Sequence, residues 1–320
     1  MTKIPFPKNY ERFIALGQEA LAAGSFRRAG DFLLQAYEIQ PDFPLNFLLL
    51  TTFAELGEGE TAYVLAQDYL DDYERVPDYL ALYTRVLLQT KRFVEAQTLI
   101  NRKILTSSKQ DMKALVILKK EIRRAELLAQ QFEHERIAQV KNELEILPER
   151  QAHEQLQLIK EAALLPQADF VEIAKELLQQ PKLHSLAKSW LLEELQRLEI
   201  TETIPISWQG KKRQVIPAEL GSPGDSASYQ RVLLYLEKEL VNSDPILLLN
   251  IEEEVILHFA MLYPFADEII TNPTSWAKSY IETYQLEAAS LGTNEQEEHD
   301  IQTARRLQDQ LRQVSQESFL

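Results

Sequence analysis

Three segments of the chain align with one another: Gly24-Ser-Phe-Arg-Arg-Ala29, Gly57-Glu-Gly-Glu-Thr-Ala62 and Lys91-Arg-Phe-Val-Glu-Ala96. Their alanines lie 33 and 34 residues apart. Self-similarity at such a period marks a supersecondary unit that cannot bury its apolar face alone, so successive copies must stack into a continuous core. Counting back nineteen positions from each alanine starts the units at Tyr10, Phe43 and Pro77, and each then reads as two short amphipathic helices. In the first unit Phe13, Leu16, Gly17, Ala20, Phe26, Ala29, Leu33, Ala36 and Pro41 fall where large and small side chains would interlock two antiparallel helices. Glycine and proline are costly in helix interiors. Neither occurs from Asp78 to Leu147, and no glycine occurs between Glu60 and Gln209, so the chain is predicted to be mostly helical.

These units resemble the tetratricopeptide repeat. Its pattern has Leu-Gly early in the first helix, a small residue facing it, an aromatic opening the second helix, and a closing proline. Leu16, Gly17, Ala20, Phe26, Ala29 and Pro41 match it in the first unit. The second and third units depart from it: Gly59 stands where the aromatic is expected, and Tyr83-Thr84 replaces Leu-Gly. The resemblance covers residues 10–106 and implies an all-α solenoid of stacked helical hairpins whose first helices line a concave, peptide-binding groove. Carried over residue by residue, the groove positions are Ile14, Gln18 and Leu21, then Phe47, Thr51 and Ala54, then Ala81, Arg85 and Leu88. Chaperone-binding members of the family grip a terminal carboxylate with Lys and Asn. Ile14 and Gln18 stand there instead, which implies a mainly apolar groove with Arg85 as a polar anchor. The competing reading is that some of these side chains, Phe47 and Leu88 above all, pack against the neighbouring repeat.

Beyond the repeats, Lys109 to Leu147 reads as one long helix with Ser107-Ser108 as its N-caps, or as two helices broken near Gln131. Pro148, Pro166 and Pro181 divide the next stretch into further solenoid helices. Helicity is interrupted where Ile204, Ile206 and Trp208 alternate with Pro205 and Ser207. That period, followed by Gln209-Gly210, predicts a small β-hairpin near residues 203–216 with Trp208 opposite Lys211 and Ile206 opposite Arg213. The basic run Lys211-Lys212-Arg213 either protects a sheet edge or forms a second contact for an acidic peptide or phosphate. Asp244-Pro245 and Asn272-Pro273 each place a capping side chain before a proline, which starts a helix. Ile246, Leu249, Val255, Ile256, Phe259 and Met261 are expected in a C-terminal core. The polar end is expected to be a frayed tail with one amphipathic helix around Ile301 to Leu311. The resulting division is 1–106 for the repeats, 107–202 for the long helix and solenoid helices, 203–290 for the hairpin and a helical domain, and 291–320 for the tail.

Composition narrows the function. With 45% apolar and 26% charged side chains the chain lies in the globular range, and the absence of cysteine removes disulfides and thiolate metal sites. The first residues lack the apolar run of a signal peptide, which predicts a cytoplasmic protein. A formal charge of −15 argues against a general nucleic-acid binder, which gains affinity from basic residues on phosphates. From Ser243 to Leu320 four basic residues stand against fourteen acidic ones, so a basic partner could be steered there. Glu252, Glu253 and Glu254 interrupt the most apolar helix and speak against a membrane span.

Catalytic constellations fail on spacing. His134-Glu135-Arg136 lacks the second histidine of a zinc-protease helix because Ala138 stands in its place. Glu254 and His258 share a helix face, but the second Glu-x-x-His of a di-metal bundle is missing. Gly221-Ser-Pro-Gly has no following Lys-Ser/Thr for phosphate. The sequence therefore predicts a non-enzymatic adaptor without cofactor or metal, monomer or homodimer, that binds a protein or peptide. Its alternatives are a peptide-sensing regulator without a DNA-binding domain and, last, a metal-dependent hydrolase.

Overall fold

A computed structural model describes residues 7–106, 111–284 and 294–317 of the chain. Apart from one two-stranded antiparallel sheet, the fold is all-α and is built from consecutive helical hairpins. The helices group into two compact units. One takes the residues up to Ile137 together with Ala163–Phe170; the other takes Ala138–Ala162 and the chain from Val171 onward.

The first unit contains α1 (Pro7–Ala22), α2 (Phe26–Tyr37), α3 (Phe43–Leu56), α4 (Gly59–Ala66), the single turn α5 (Leu70–Tyr73), α6 (Pro77–Gln89), α7 (Phe93–Thr106) and α8 (Met112–Phe132). The hairpins α1–α2, α3–α4 and α6–α7 repeat one turn geometry. Gly24, Gly57 and Lys91 all adopt the left-handed conformation, at φ of 69°, 75° and 59°. Each turn also closes with the same pair of backbone bonds, from Gly57 N to Ala54 O and Glu58 N to Phe53 O in the second hairpin, and from Lys91 N to Leu88 O and Arg92 N to Leu87 O in the third. This is a helix stop that satisfies the last carbonyls. The aligned segments are thus three copies of one cap.

Small residues set the helix spacing. A Cβ on Gly17 would lie 2.6 Å from Leu33 Cδ2, so α1 seats its backbone directly on an α2 side chain. Gly59, the departure from the repeat pattern, has a similar cause: a Cβ there would lie 3.1 Å from Thr90 Cγ2 and 3.3 Å from Gln89 Cβ. The N-terminus of α4 presses on the end of α6 and leaves no room for an aromatic. Leu33, Ala36, Leu49, Leu50, Ala62, Val86, Leu87 and Ile100 are fully buried in the shared core. Within it the Asn46 amide donates to Leu65 O (2.8 Å) and to the Tyr37 hydroxyl (3.0 Å) and accepts from the Tyr73 hydroxyl (2.7 Å), which meets the requirement that buried polar groups be paired. Asp42 caps α3 by accepting from Leu45 N at 2.9 Å, and its other oxygen accepts from Tyr10 OH at 2.8 Å, tying the second hairpin to the first.

The helix that opens at Met112 does not run to Leu147. It stops at Phe132, and α9 (His134–Glu145) follows, broken at Glu133. The Glu133 carboxylate at the break takes Lys91 Nζ at 2.6 Å and Arg136 Nε at 2.7 Å. Ser107-Ser108, expected as caps, lie outside the described residues.

The second unit continues with α10 (Ala152–Leu158), α11 (Gln167–Leu178), α12 (Ser185–Arg197), the strands β1 (Ile204–Trp208) and β2 (Lys211–Val215), then α13 (Ala227–Leu240), α14 (Pro245–Leu262), the short α15 (Ala266–Ile269), α16 (Pro273–Tyr284) and α17 (Glu295–Glu317). The strands pair in the expected register, Trp208 with Lys211 and Ile206 with Arg213, around a turn in which Gln209 and Gly210 both have positive φ. Asp244 accepts from Leu247 N at 3.0 Å and Asn272 from Ser275 N at 3.2 Å, so both proline-marked starts are capped.

Two expectations are corrected. Ile246, Leu249 and Ile256 are exposed, and the core face of α14 is instead Leu247, Leu248, Ile251, Val255, Phe259, Met261 and Leu262. The helix is apolar on nearly every side, so periodicity could not choose its buried face. The polar end has the amphipathic helix expected around Ile301 to Leu311, but over the described residues it is helical well beyond those bounds and not a frayed tail. It forms the 23-residue α17, which buries Ile301, Ala304, Gln308 and Leu311 at helical spacing. Gln308 conceals this stripe: its amide donates to Trp276 O (2.9 Å) and accepts from Ser279 Oγ (3.0 Å), so a polar residue stands at a core position with both ends paired.

Candidate functional site

The nine residues carried over from the repeat resemblance lie on α1, α3 and α6, the first helices of the three hairpins. Ile14, Leu21, Phe47, Ala81 and Leu88 are half-buried and pack against the repeat core while keeping part of their surface in solvent. Gln18 is exposed. Thr51 is half-buried, with its hydroxyl donating to Phe47 O at 2.9 Å within its own helix. Ala54 is only 2% exposed and its carbonyl accepts from Gln89 Nε2 at 3.0 Å, so it spaces the helices and offers a ligand nothing.

Phe47 belongs to an aromatic group centred on Phe43, which also meets Tyr69 and Tyr73. The Phe47 ring centroid lies 5.0 Å from Tyr79 and 6.4 Å from Phe43, and Phe43 lies 5.2 Å from Tyr79. Tilted and edge-on contacts of this kind hold rings in place without hiding both faces. Tyr79 and Phe43 were not among the expected groove residues; they occupy the first turns of α6 and α3, just N-terminal to the family's groove positions, where the spacing rule does not reach. Arg85 meets Glu55 across the α3–α6 step at 2.8 Å, and both side chains stay substantially exposed. The expected lone anchor is therefore one half of an ion pair, and the carboxylate came from a residue that repeat spacing does not single out. The surface has rings at one end and a matched charge pair at the other.

The basic hairpin divides in two. Lys211 and Lys212 are exposed. Arg213 is not available in the same way, because its guanidinium sits 4.1 Å over the Phe265 ring and makes two 2.8 Å bonds to the Glu268 carboxylate. It fastens β2 to α15 through stacking and through one guanidinium nitrogen that donates to both carboxylate oxygens.

The Glu254 and His258 pair is buried and structural. His258 Nδ1 is 2.7 Å from the Tyr280 hydroxyl and Nε2 is 3.5 Å from Glu254 Oε1. Burial, with help from the Arg312 cation, holds the imidazole pKa down to about 3, so the ring is neutral. Glu254 is already engaged by Arg312 and by the Tyr284 hydroxyl at 2.7 Å. Among the described residues no group of three or more His, Asp or Glu side chains could hold a metal ion, and no helix there is long and apolar enough to cross a membrane.

Comparison with known proteins agrees with the repeat geometry. The chain is similar to the TPR repeat-containing protein YsoA of Bacillus subtilis (strain 168), with 26% identity over 280 residues that cover 84% of this chain and 81% of that one. No family model matches the chain, and no solved structure does. At that coverage the similarity extends beyond the length of the three hairpins and takes in later helices as well.

Proposed function

We propose that the chain is a non-enzymatic protein-interaction adaptor, which holds a peptide or helical segment of a partner against the faces of α1, α3 and α6. A protein-binding role in general is supported by the likeness to a repeat protein of this kind. The finer assignment rests on one observation: Phe47 and Tyr79 form a half-buried ring pair, 5.0 Å apart, beside the exposed Arg85–Glu55 pair. Because Arg85 already has its carboxylate, the segment that suits this surface is apolar and near-neutral rather than an acidic terminus. Aromatic anchors beside a polar rim are the usual makings of a binding hot spot.

Lys211 and Lys212 would serve as a secondary contact, and the acidic excess after Ser243 favours basic sequence elsewhere on the partner. A cytoplasmic location belongs to the same proposal.

Affinity capture from cell extract at modest salt tests the reading, with the wild-type chain compared against a Phe47→Ala/Arg85→Glu variant of unchanged circular dichroism. A protein retained by the wild type, lost by the variant and then reproduced with purified components supports the groove. Identical captured sets from the two chains overturn it.

A further inference from the structure

A second site lies wholly within the second unit. Between the start of α12, the end of β1, the end of α14 and the last turns of α17 there is a cleft of about 510 Å³, a size that suits a small molecule. Leu183, Trp208, Met261, Leu307, Leu311 and Val314 give it an apolar lining. Among the described residues, no carboxylate meets its one ammonium. Lys188, on the first turns of α12, is 7% exposed, and among the described residues its ammonium has a single acceptor, Ser207 O at 2.6 Å. Burial alone pulls its pKa down to about 8, with no carboxylate opposing the shift. Ser185 Oγ, also on the cleft wall, is buried and has no hydrogen-bond partner. His184 closes the group and caps α12 by accepting from Leu186 N at Nδ1.

An ammonium has three donors, and an isolated cation in an apolar setting is costly unless a counter-charge or further hydrogen bonds compensate it. The positive end of the α12 dipole adds to the same field. Lys188 is the one Lys or Arg among the described lining residues, so the charge matches a monoanion better than a phosphate dianion. The walls call for an apolar body behind it. We infer that this cleft binds a small amphiphilic monocarboxylate, with its carboxylate on Lys188 Nζ and Ser185 Oγ and its hydrocarbon part against Trp208, Met261 and Leu311.

The experiment titrates octanoate into the full chain by calorimetry, with 1-octanol as a neutral probe of the same length. Saturable octanoate binding is expected, weakened about tenfold or more by Lys188→Met, while octanol binds more weakly and equally to both chains. A second readout needs no variant: octanoate, and not octanol, should slow reductive methylation of the Lys188 amine in the wild-type protein. The inference is overturned if octanoate shows no saturable binding, if the two probes bind alike, if Lys188→Met binds octanoate as the wild type does, or if methylation of Lys188 is indifferent to saturating octanoate. Neither readout involves Phe47 or Arg85, so success or failure here is independent of the groove.

Discussion

Gly17 carries more of the first hairpin than its size suggests. With 2.6 Å between a Cβ there and Leu33 Cδ2, Gly17→Ala must push α1 off α2 or force Leu33 from its rotamer, at a cost of about 1–3 kcal/mol despite alanine's better helix propensity. Denaturant melts should show the midpoint falling, and an unchanged or raised midpoint would mean the helices are less closely seated. Two buried bases give the protein a pH dependence whose sign is fixed. His258 is neutral in the fold and held down to about 3 by burial and by Arg312, whereas the unfolded chain takes up a proton near its ordinary pKa of about 6.5. Stability from this group is complete above about pH 6.5 and is lost as pH falls toward about 3. Wild type should therefore lose more melting temperature between about pH 7 and about pH 4.5 than His258→Gln does. For Lys188, held down to about 8, the destabilising penalty is complete below about pH 8 and relaxes as pH rises toward about 10.4. The stability difference between Lys188→Met and wild type should shift in favour of wild type across that window. The same comparison cancels the buried tyrosines, which titrate in both chains.

At the level of elements, the repeat was legible because its turns are made by local rules. Gly24 and Gly57 announce a left-handed helix stop, and the alignment put Lys91 in the same place, where it adopts the same conformation without being glycine. The hairpin was legible for a similar reason, since the alternation of Ile204, Ile206 and Trp208 fixes which residues face the core. What the sequence could not supply was the partner of each face. Nothing in the α14 pattern says that Leu248 turns inward and Leu249 outward, because both neighbours are apolar and the packing of α12, α13 and α17 decides. Gln308 misleads in the opposite direction, its burial being acceptable only because Trp276 O and Ser279 Oγ are there to meet it. Gly59 read as decay of the repeat, and the close approach of Thr90 and Gln89 shows it to be a packing requirement. Restoring the consensus with Gly59→Phe should accordingly destabilise the α3–α4 hairpin by about 1–3 kcal/mol. Hydrogen exchange would then show α4 and the end of α6 losing protection before α1, and a Phe variant as stable as wild type would remove this account of the degenerate repeat.

Across the whole molecule, charge is the property that sequence states outright and structure distributes. The fold class followed from periodicity, but the candidate groove depended on which carboxylate meets Arg85, and the cleft on which cation lacks one; both are consequences of tertiary pairing that no spacing encodes. Many basic residues are matched on the surface, as in Arg27–Glu58, Arg92–Glu60 and Lys182–Glu149. Exposed pairs of this sort contribute about 0–1 kcal/mol each and are screened by salt. Against them stands a net charge of −15, whose self-repulsion disfavours the compact state and is also screened. The two effects oppose each other, and their balance follows from their reach: within a pair the charges are already in contact, whereas the uncompensated carboxylates repel over distances near the Debye length, about 10 Å at 0.1 M. Added salt should therefore relieve more repulsion than attraction. The melting temperature should rise by a few degrees between about 10 mM and about 500 mM KCl, most steeply below about 0.1 M, where the screening length changes fastest. A fall over the same range would mean that the surface pairs are worth more together than separately, as a network rather than as isolated contacts.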